Sequence, residues 1–143
     1  MLSDLTGKRT VVTGAARGIG EAICRTLAAE GVRVAVADLD EAAAQKLAGS
    51  LGNGAHGFKI DVRDRASVEA CFSSIEATFG GYDILCANAG TATFGAVADL
   101  DPAAEKAQVQ LNVLGVHDLV LAVLPGMLAR RAGGILISGS AAG

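Results

Sequence analysis

The sequence predicts an α/β protein, a doubly wound parallel sheet covered by helices on both faces. Three observations carry this expectation. Short β-branched runs alternate with stretches of helical period along the whole chain. The runs are almost continuously apolar, as strands buried on both faces must be. A glycine-rich turn, Thr13-Gly14-Ala15-Ala16-Arg17-Gly18-Ile19-Gly20, joins the first run to the first helical stretch. The 143 residues are 51% hydrophobic and 19% charged, which suits one domain over 1–143 with its own core and excludes a disordered chain.

Taken in order, Arg9–Thr13 reads as the first strand, and Ile19, Ile23 and Leu27 recur at i, i+4, i+8 as one helix face. Val32–Ala37 is the second strand. Ala43, Leu47 and Leu51 mark a second helix, stopped by Gly52-Asn53-Gly54. Gly57–Ile60 is a weaker third strand. Asp64 has the position of an N-cap for a helix whose apolar face is Val68, Cys71, Phe72, Ile75 and Phe79, and Gly80-Gly81 ends it. Asp83–Ala87 is the fourth strand. A polar loop follows from Asn88 to about Asp101. Pro102 suits the first turn of a long helix reaching about Arg130, apolar round so much of its surface that burial on more than one side is expected. Gly133-Gly134 turns the chain into a fifth strand, Ile135–Ser138. Five strands alternating with four helices are βαβ units, whose right-handed crossovers give a parallel sheet.

Composition also narrows function. A net charge of −3 offers no electrostatic reason to bind nucleic acid or an anionic membrane. Aromatic residues are 3%, with Tyr82 the one tyrosine, too few for a base-stacking platform. The most apolar stretch, Leu119 to Leu128, is half the length of a membrane span, and Met1 to Lys8 has no apolar leader. Cys24, Cys71 and Cys86 sit in apolar surroundings and read as reduced core residues of a cytoplasmic protein. They are far apart and lack histidines at ligand spacing, so no metal site is expected. His56 and His117 read as structural.

The glycine turn carries the functional signal. Between a strand and a helix, such a turn lets backbone N–H groups and the helix N-terminus face a pyrophosphate. Gly14 allows the tight turn, Gly18 a close backbone approach, and Gly20 close packing of helix on strand. An ordinary βα loop with three glycines is the plainer alternative. Asp38, at the end of the second strand, is placed to accept hydrogen bonds from a ribose and to repel a 2′-phosphate. It could instead cap the helix beginning near Asp40.

The spacing Thr-Gly-x-x-x-Gly-Ile-Gly resembles the short-chain dehydrogenase/reductase family in its shorter, single-domain branch, and later motifs agree in order over essentially the whole chain. The resemblance implies a Rossmann-type fold and NAD(P)-dependent hydride transfer between an alcohol and a ketone. Asp38 then favours NAD, while Arg17, just before Gly18, pulls toward NADP. Ile19 lies within the same motif. Asp61 and the backbone of Val62 would meet the adenine, and Asn88-Ala89-Gly90 matches the end of the family's Asn-Asn-Ala-Gly, with Ala87 replacing the first Asn. Asn112, within the long helix and expected on a buried face, would position a proton-relay water. Ser140, in Gly139-Ser140-Ala141-Ala142-Gly143, would hold the substrate oxygen, with Ser138 the lesser candidate.

The family also uses a Tyr, about a dozen residues after the Ser, with a Lys four residues later. Residues 1–143 contain no such pair: Tyr82 precedes the fourth strand and has no lysine four positions on, and no suitable Tyr accompanies Lys106. Two readings remain: a dehydrogenase whose acid-base pair and last strands lie outside this sequence, or a non-catalytic dinucleotide-binding module. An epimerase of the family's extended branch is disfavoured by the glycine spacing. The resemblance further implies a homo-oligomer, a dimer or tetramer packed through the long helix, with a small-molecule substrate as partner.

Overall fold

In the computed structural model, which describes residues 5–140, β1 (Arg9–Thr13), β2 (Arg33–Asp38), β3 (His56–Lys59), β4 (Ile84–Ala87) and β5 (Gly134–Ile137) form one parallel sheet. Its order is β3-β2-β1-β4-β5. Thr10 is in register with Val34 on one side and Ile84 on the other. The chain runs outward from β1 to β3, then crosses back to β4. The ends of β1 and β4 therefore flank the point where strand order reverses, which is where open α/β sheets hold ligands.

Alternation along the strands divides the core in two. Val11, Ala35, Ala37, Leu85 and Ala87 face α3 (Arg65–Phe79) and the helix before β5. Val12, Val34, Val36 and Cys86 face α1 (Gly18–Ala29) and α2 (Glu41–Leu51). In α3 the predicted face is the buried one: Val68, Cys71, Phe72, Ile75 and Phe79. Asp64 accepts the Ala66 N–H, and Gly80 closes the helix in the left-handed region.

α1 differs from the expected face. Its buried line is Gly20, Cys24 and Ala28, while Ile23 and Leu27 pack at the edge of the core and Ile19 is 72% exposed. Burial at the start of the helix falls to Gly20 because the helix begins against the glycine turn, where a side chain has no room. A Cβ on Gly20 would overlap the Gly14 carbonyl and lie 2.8 Å from the Ala15 Cα.

The long helix also differs. It is built of α4 (Pro102–Val109), a π-helical stretch Gln110–Gly115, and α5 (Val116–Arg130). It is buried on one side only, through Gly115, Leu119, Val123 and Met127. Val109, Val113, Leu121 and Leu128 are open on the other. By length and composition Pro102–Arg130, which contains an 18-residue window of mean hydropathy 1.7, matches a membrane span. Its apolar content is divided between the face on the sheet core and the open face. The three cysteines are buried and unpaired. Burial pushes the Cys24 and Cys71 thiols up to about 12 and raises Cys86.

Candidate functional site

β1 delivers the chain into a turn that only glycines allow. Gly14 and Gly18 hold φ of +60° and +57°. At Gly14 a Cβ would lie 2.7 Å from the Ala89 Cα, so the turn after β1 presses against the loop after β4. Thr13 joins the two: its hydroxyl oxygen accepts the N–H groups of Asn88 (3.1 Å) and Ala89 (3.2 Å). The Asn88 amide donates to the carbonyls of Thr13 and Gly14, and its oxygen accepts the Ser138 hydroxyl at 3.1 Å. One asparagine thus links the ends of β1, β4 and β5.

The N-terminus of α1 is left open. α2, α3 and α4 begin with an Asp that accepts a first-turn N–H: Asp40, Asp64 and Asp101. Arg17, which precedes α1, gives no side-chain cap. The first-turn donors and positive dipole end are therefore available to an anion. A Cβ on Gly18 would meet nothing within 4 Å, so the space above the turn is clear. Asp38 stands beside it, 5% exposed, accepting the Ala16 N–H at 2.9 Å and the Asp40 N–H at 3.0 Å. The helix cap near this point is Asp40 itself, which accepts the Ala43 N–H.

A cleft of about 750 Å³ opens here. Its walls include Gly14, Arg17, Ile19, Asp38, Asp61, Val62, Asn88, Ala89 and Gly90, nine of the residues singled out from the sequence. Gly18 and Gly20 shape the turn without being walls. The clear space over Gly18, the uncapped helix end and the carboxylate of Asp38 together suit a dinucleotide: room and donors for a pyrophosphate, acceptors for ribose hydroxyls.

At the end of β3, Asp61 is held by its neighbours. Arg63 Nε donates to Oδ1 at 2.9 Å and Nη2 to Oδ2 at 2.8 Å, so the guanidinium holds the carboxyl below the usual carboxylate range. Gly115 lets the π-helical stretch cross Val62 closely, for a Cβ there would lie 2.6 Å from Val62 Cγ1.

Asn112 is exposed, contrary to the expected buried face. It looks out from the π-helical stretch onto the loop after β4. There its oxygen accepts the Thr91 N–H at 3.0 Å and its nitrogen donates to the Thr91 carbonyl at 2.7 Å. One turn earlier Gln108 accepts the Thr93 N–H and hydroxyl at 2.7 and 3.0 Å. Two amides thus fasten the loop. Thr13 enters the sequence reading as the first residue of the glycine motif but with no role assigned, and Arg63 and Gln108 do not enter it. Gln108 and Asn112 do share an i, i+4 polar spacing, a signal that could have found the pair.

Ser140 lies three residues beyond β5 and is exposed; Ala141, Ala142 and Gly143 of its motif fall outside the described residues. Neither Ser140 nor Asn112 is a wall of the cleft. Tyr82 is 9% exposed and donates a long hydrogen bond, 3.4 Å, to the Ala122 carbonyl. Burial raises its phenol, opposite to the need of a proton donor. Among the described residues no cluster of His, Cys, Asp or Glu is arranged to hold a metal.

Comparison with known proteins matches residues 8–143 to the family model described as short chain dehydrogenase. The oxidoreductase UcpA of Salmonella typhimurium is 37% identical over 145 aligned positions, covering 99% of this chain and 55% of the relative. The 2-(S)-hydroxypropyl-CoM dehydrogenase 3 of Xanthobacter autotrophicus is 40% identical, covering 100% and 57%. The 3-oxoacyl-(acyl-carrier-protein) reductase FabG of Escherichia coli is 37% identical, covering 98% and 57%. The chain spans slightly more than half the length of these relatives.

Proposed function

The chain belongs to the short chain dehydrogenase family, and from that premise we propose that it binds NAD(H) in the cleft between the ends of β1 and β4 and that, in an intact form that also supplies the acid-base pair, it serves hydride transfer between that cofactor and an alcohol or ketone. The observation that carries this is the uncapped N-terminus of α1 opening on a glycine turn, with the Asp38 carboxylate beside it. Backbone donors at Gly18–Gly20 would hold the pyrophosphate. Asp38 would accept from the ribose hydroxyls and oppose a 2′-phosphate, which favours NAD over NADP despite Arg17. Asp61 and Val62 would meet the adenine. When bound, the nicotinamide gives or takes the hydride. Ser140 would hold the substrate oxygen. Asn112, by fastening Thr91, would hold the loop beside the reacting end and remains the candidate for a relay water.

The open apolar face of the long helix supports a homo-oligomer, dimer or tetramer, and the buried thiols support a reducing, cytoplasmic setting. The substrate class is taken from the family alone. A second reading, a dinucleotide-binding module without catalysis, is favoured by one observation: residues 1–143 contain no Tyr followed four positions later by Lys. Calorimetric titration with NAD, NADP and ADP-ribose tests the shared premise. NAD and ADP-ribose should bind saturably and NADP more weakly; heats indistinguishable from dilution for all three would reject both readings.

A further inference from the structure

Resting on the dinucleotide reading, we propose that Arg63 sets base discrimination at the adenine end of the cleft, making the site tolerant of both 6-amino and 6-oxo purines.

The inference comes from counting acceptors. A carboxylate offers about four lone-pair sites. On Asp61, Oδ1 accepts the Arg63 backbone N–H at 3.0 Å and its Nε at 2.9 Å, and Oδ2 accepts Nη2 at 2.8 Å. One site remains, on Oδ2. The turn is fixed from both sides. The Asp61 N–H donates to Ser67 Oγ at 2.8 Å, and the Arg63 carbonyl accepts from Gln110 Nε2 at 3.3 Å. Both side chains line the cleft and remain partly open, 29% for Asp61 and 47% for Arg63.

A lone carboxylate facing position 6 would accept a 6-amino group and repel a 6-oxo group, to which it has no donor to offer; from a 6-oxo purine it could accept only the neighbouring N1–H. The fork of Arg63 changes that chemistry. Two of its five N–H groups are spent on Asp61, and the others stand next to the remaining Oδ2 acceptor. The pair therefore presents an acceptor for a 6-amino group and donors for a 6-oxo group. Arg63 also takes up acceptor capacity that an adenine would otherwise use.

The test compares NADH with reduced nicotinamide hypoxanthine dinucleotide, whose base carries a 6-oxo group and an N1–H where adenine has a 6-amino group and a bare N1. Both are followed by their own dihydronicotinamide fluorescence in the wild type, Arg63→Ala and Arg63→Lys. The wild type should bind the two within about threefold of each other. Arg63→Ala should keep or gain NADH affinity and lose the hypoxanthine analogue by about tenfold, the scale of a carboxylate left facing an oxygen it cannot bond. Arg63→Lys keeps a donor and should fall between them. An unchanged ratio in Arg63→Ala, or a wild type that already rejects the analogue about tenfold, would overturn this inference while leaving the dinucleotide reading intact. A wild type that binds neither would overturn both.

Discussion

The carboxylate of Asp38 accepts the backbone N–H of Ala16 at 2.9 Å, tying the end of β2 to the glycine turn after β1. The bond fixes an anionic group beside the open N-terminus of α1. On the proposed reading, recognition of a phosphate by the turn and rejection of a second phosphate by Asp38 would be built from adjoining parts. Replacing Asp38 by Ala or Ser would then remove the repulsion. The NADPH-to-NADH affinity ratio should rise by about tenfold, or about 1.4 kcal/mol. Competitive fluorescence titration measures it. Tighter NADPH than NADH binding by the wild type would shift the specificity role to Arg17.

Gly18 and Gly20 should fail differently. At Gly18 the space is clear but φ is +57°, so Gly18→Val strains the backbone by about 1–3 kcal/mol and fills the approach to the turn. It should still fold, with a lower melting temperature, and lose dinucleotide binding. At Gly20 a Cβ would strike the Gly14 carbonyl and the Ala15 backbone, so Gly20→Ala should damage folding itself. Circular dichroism melts beside binding titrations separate the two. A Gly18→Val protein that binds like the wild type would contradict the phosphate-turn assignment.

Arg9 and Asp83 tie the start of β1 to that of β4 through three hydrogen bonds, from Arg9 N and Nε to Oδ2 and from Nη2 to Oδ1. The guanidinium holds the Asp83 carboxyl below the usual carboxylate range. A depressed folded pKa contributes stability above the unfolded value, about 3.9, and loses it as pH falls through the folded value. Asp83→Asn should cost about 1 kcal/mol at pH 7. Its deficit against the wild type should shrink on acidification below about pH 4. Urea melts at pH 7 and at pH 3 give the comparison, and a deficit that grows at low pH would reverse the assignment.

The amides of Gln108 and Asn112 fasten Thr93 and Thr91. Gln108→Leu keeps the helix and removes the acceptor. Hydrogen exchange at the Thr93 amide should speed by about tenfold, on the scale of losing its hydrogen bond to Gln108, with the melting temperature nearly unchanged. Unaltered exchange would mean that the loop is held by other contacts.

Much of the fold is legible in the sequence, and the exceptions have physical causes. The α3 face is read correctly because large apolar residues alone bury it. The α1 face is displaced because close packing on the glycine turn admits only Gly20 at the helix start, and the buried line continues through Cys24 and Ala28 while Ile19 is exposed. Strand order escapes the sequence because pairing is non-local. The exposure of Asn112 escapes it because nothing in the residue spacing marks the π-helical stretch that carries it. In the cleft, the glycine spacing and Asp38 are legible as a motif. The Asp61–Arg63 fork and the Thr13 bridge depend on hydrogen bonds that leave no periodic signature.

Residues 1–143 expressed alone should associate. Ile135, Leu136 and Ile137 of β5 are 37–54% exposed at a sheet edge, and Val109, Val113 and Leu128 form an open apolar face. The same chain should show no turnover of secondary alcohols with NAD. Analytical ultracentrifugation showing a monodisperse monomer would contradict the first expectation, and measurable NADH production the second.

The central claim is that a dinucleotide lies on the open N-terminus of α1. Hydrogen exchange by mass spectrometry, with and without saturating NADH, tests it most directly. Exchange should slow in segments containing Gly14–Glu21 and Asp61–Asp64, and Gly18→Val should abolish both effects. No slowing in either segment, or slowing confined to the region of Phe72 and Tyr82, would contradict the account.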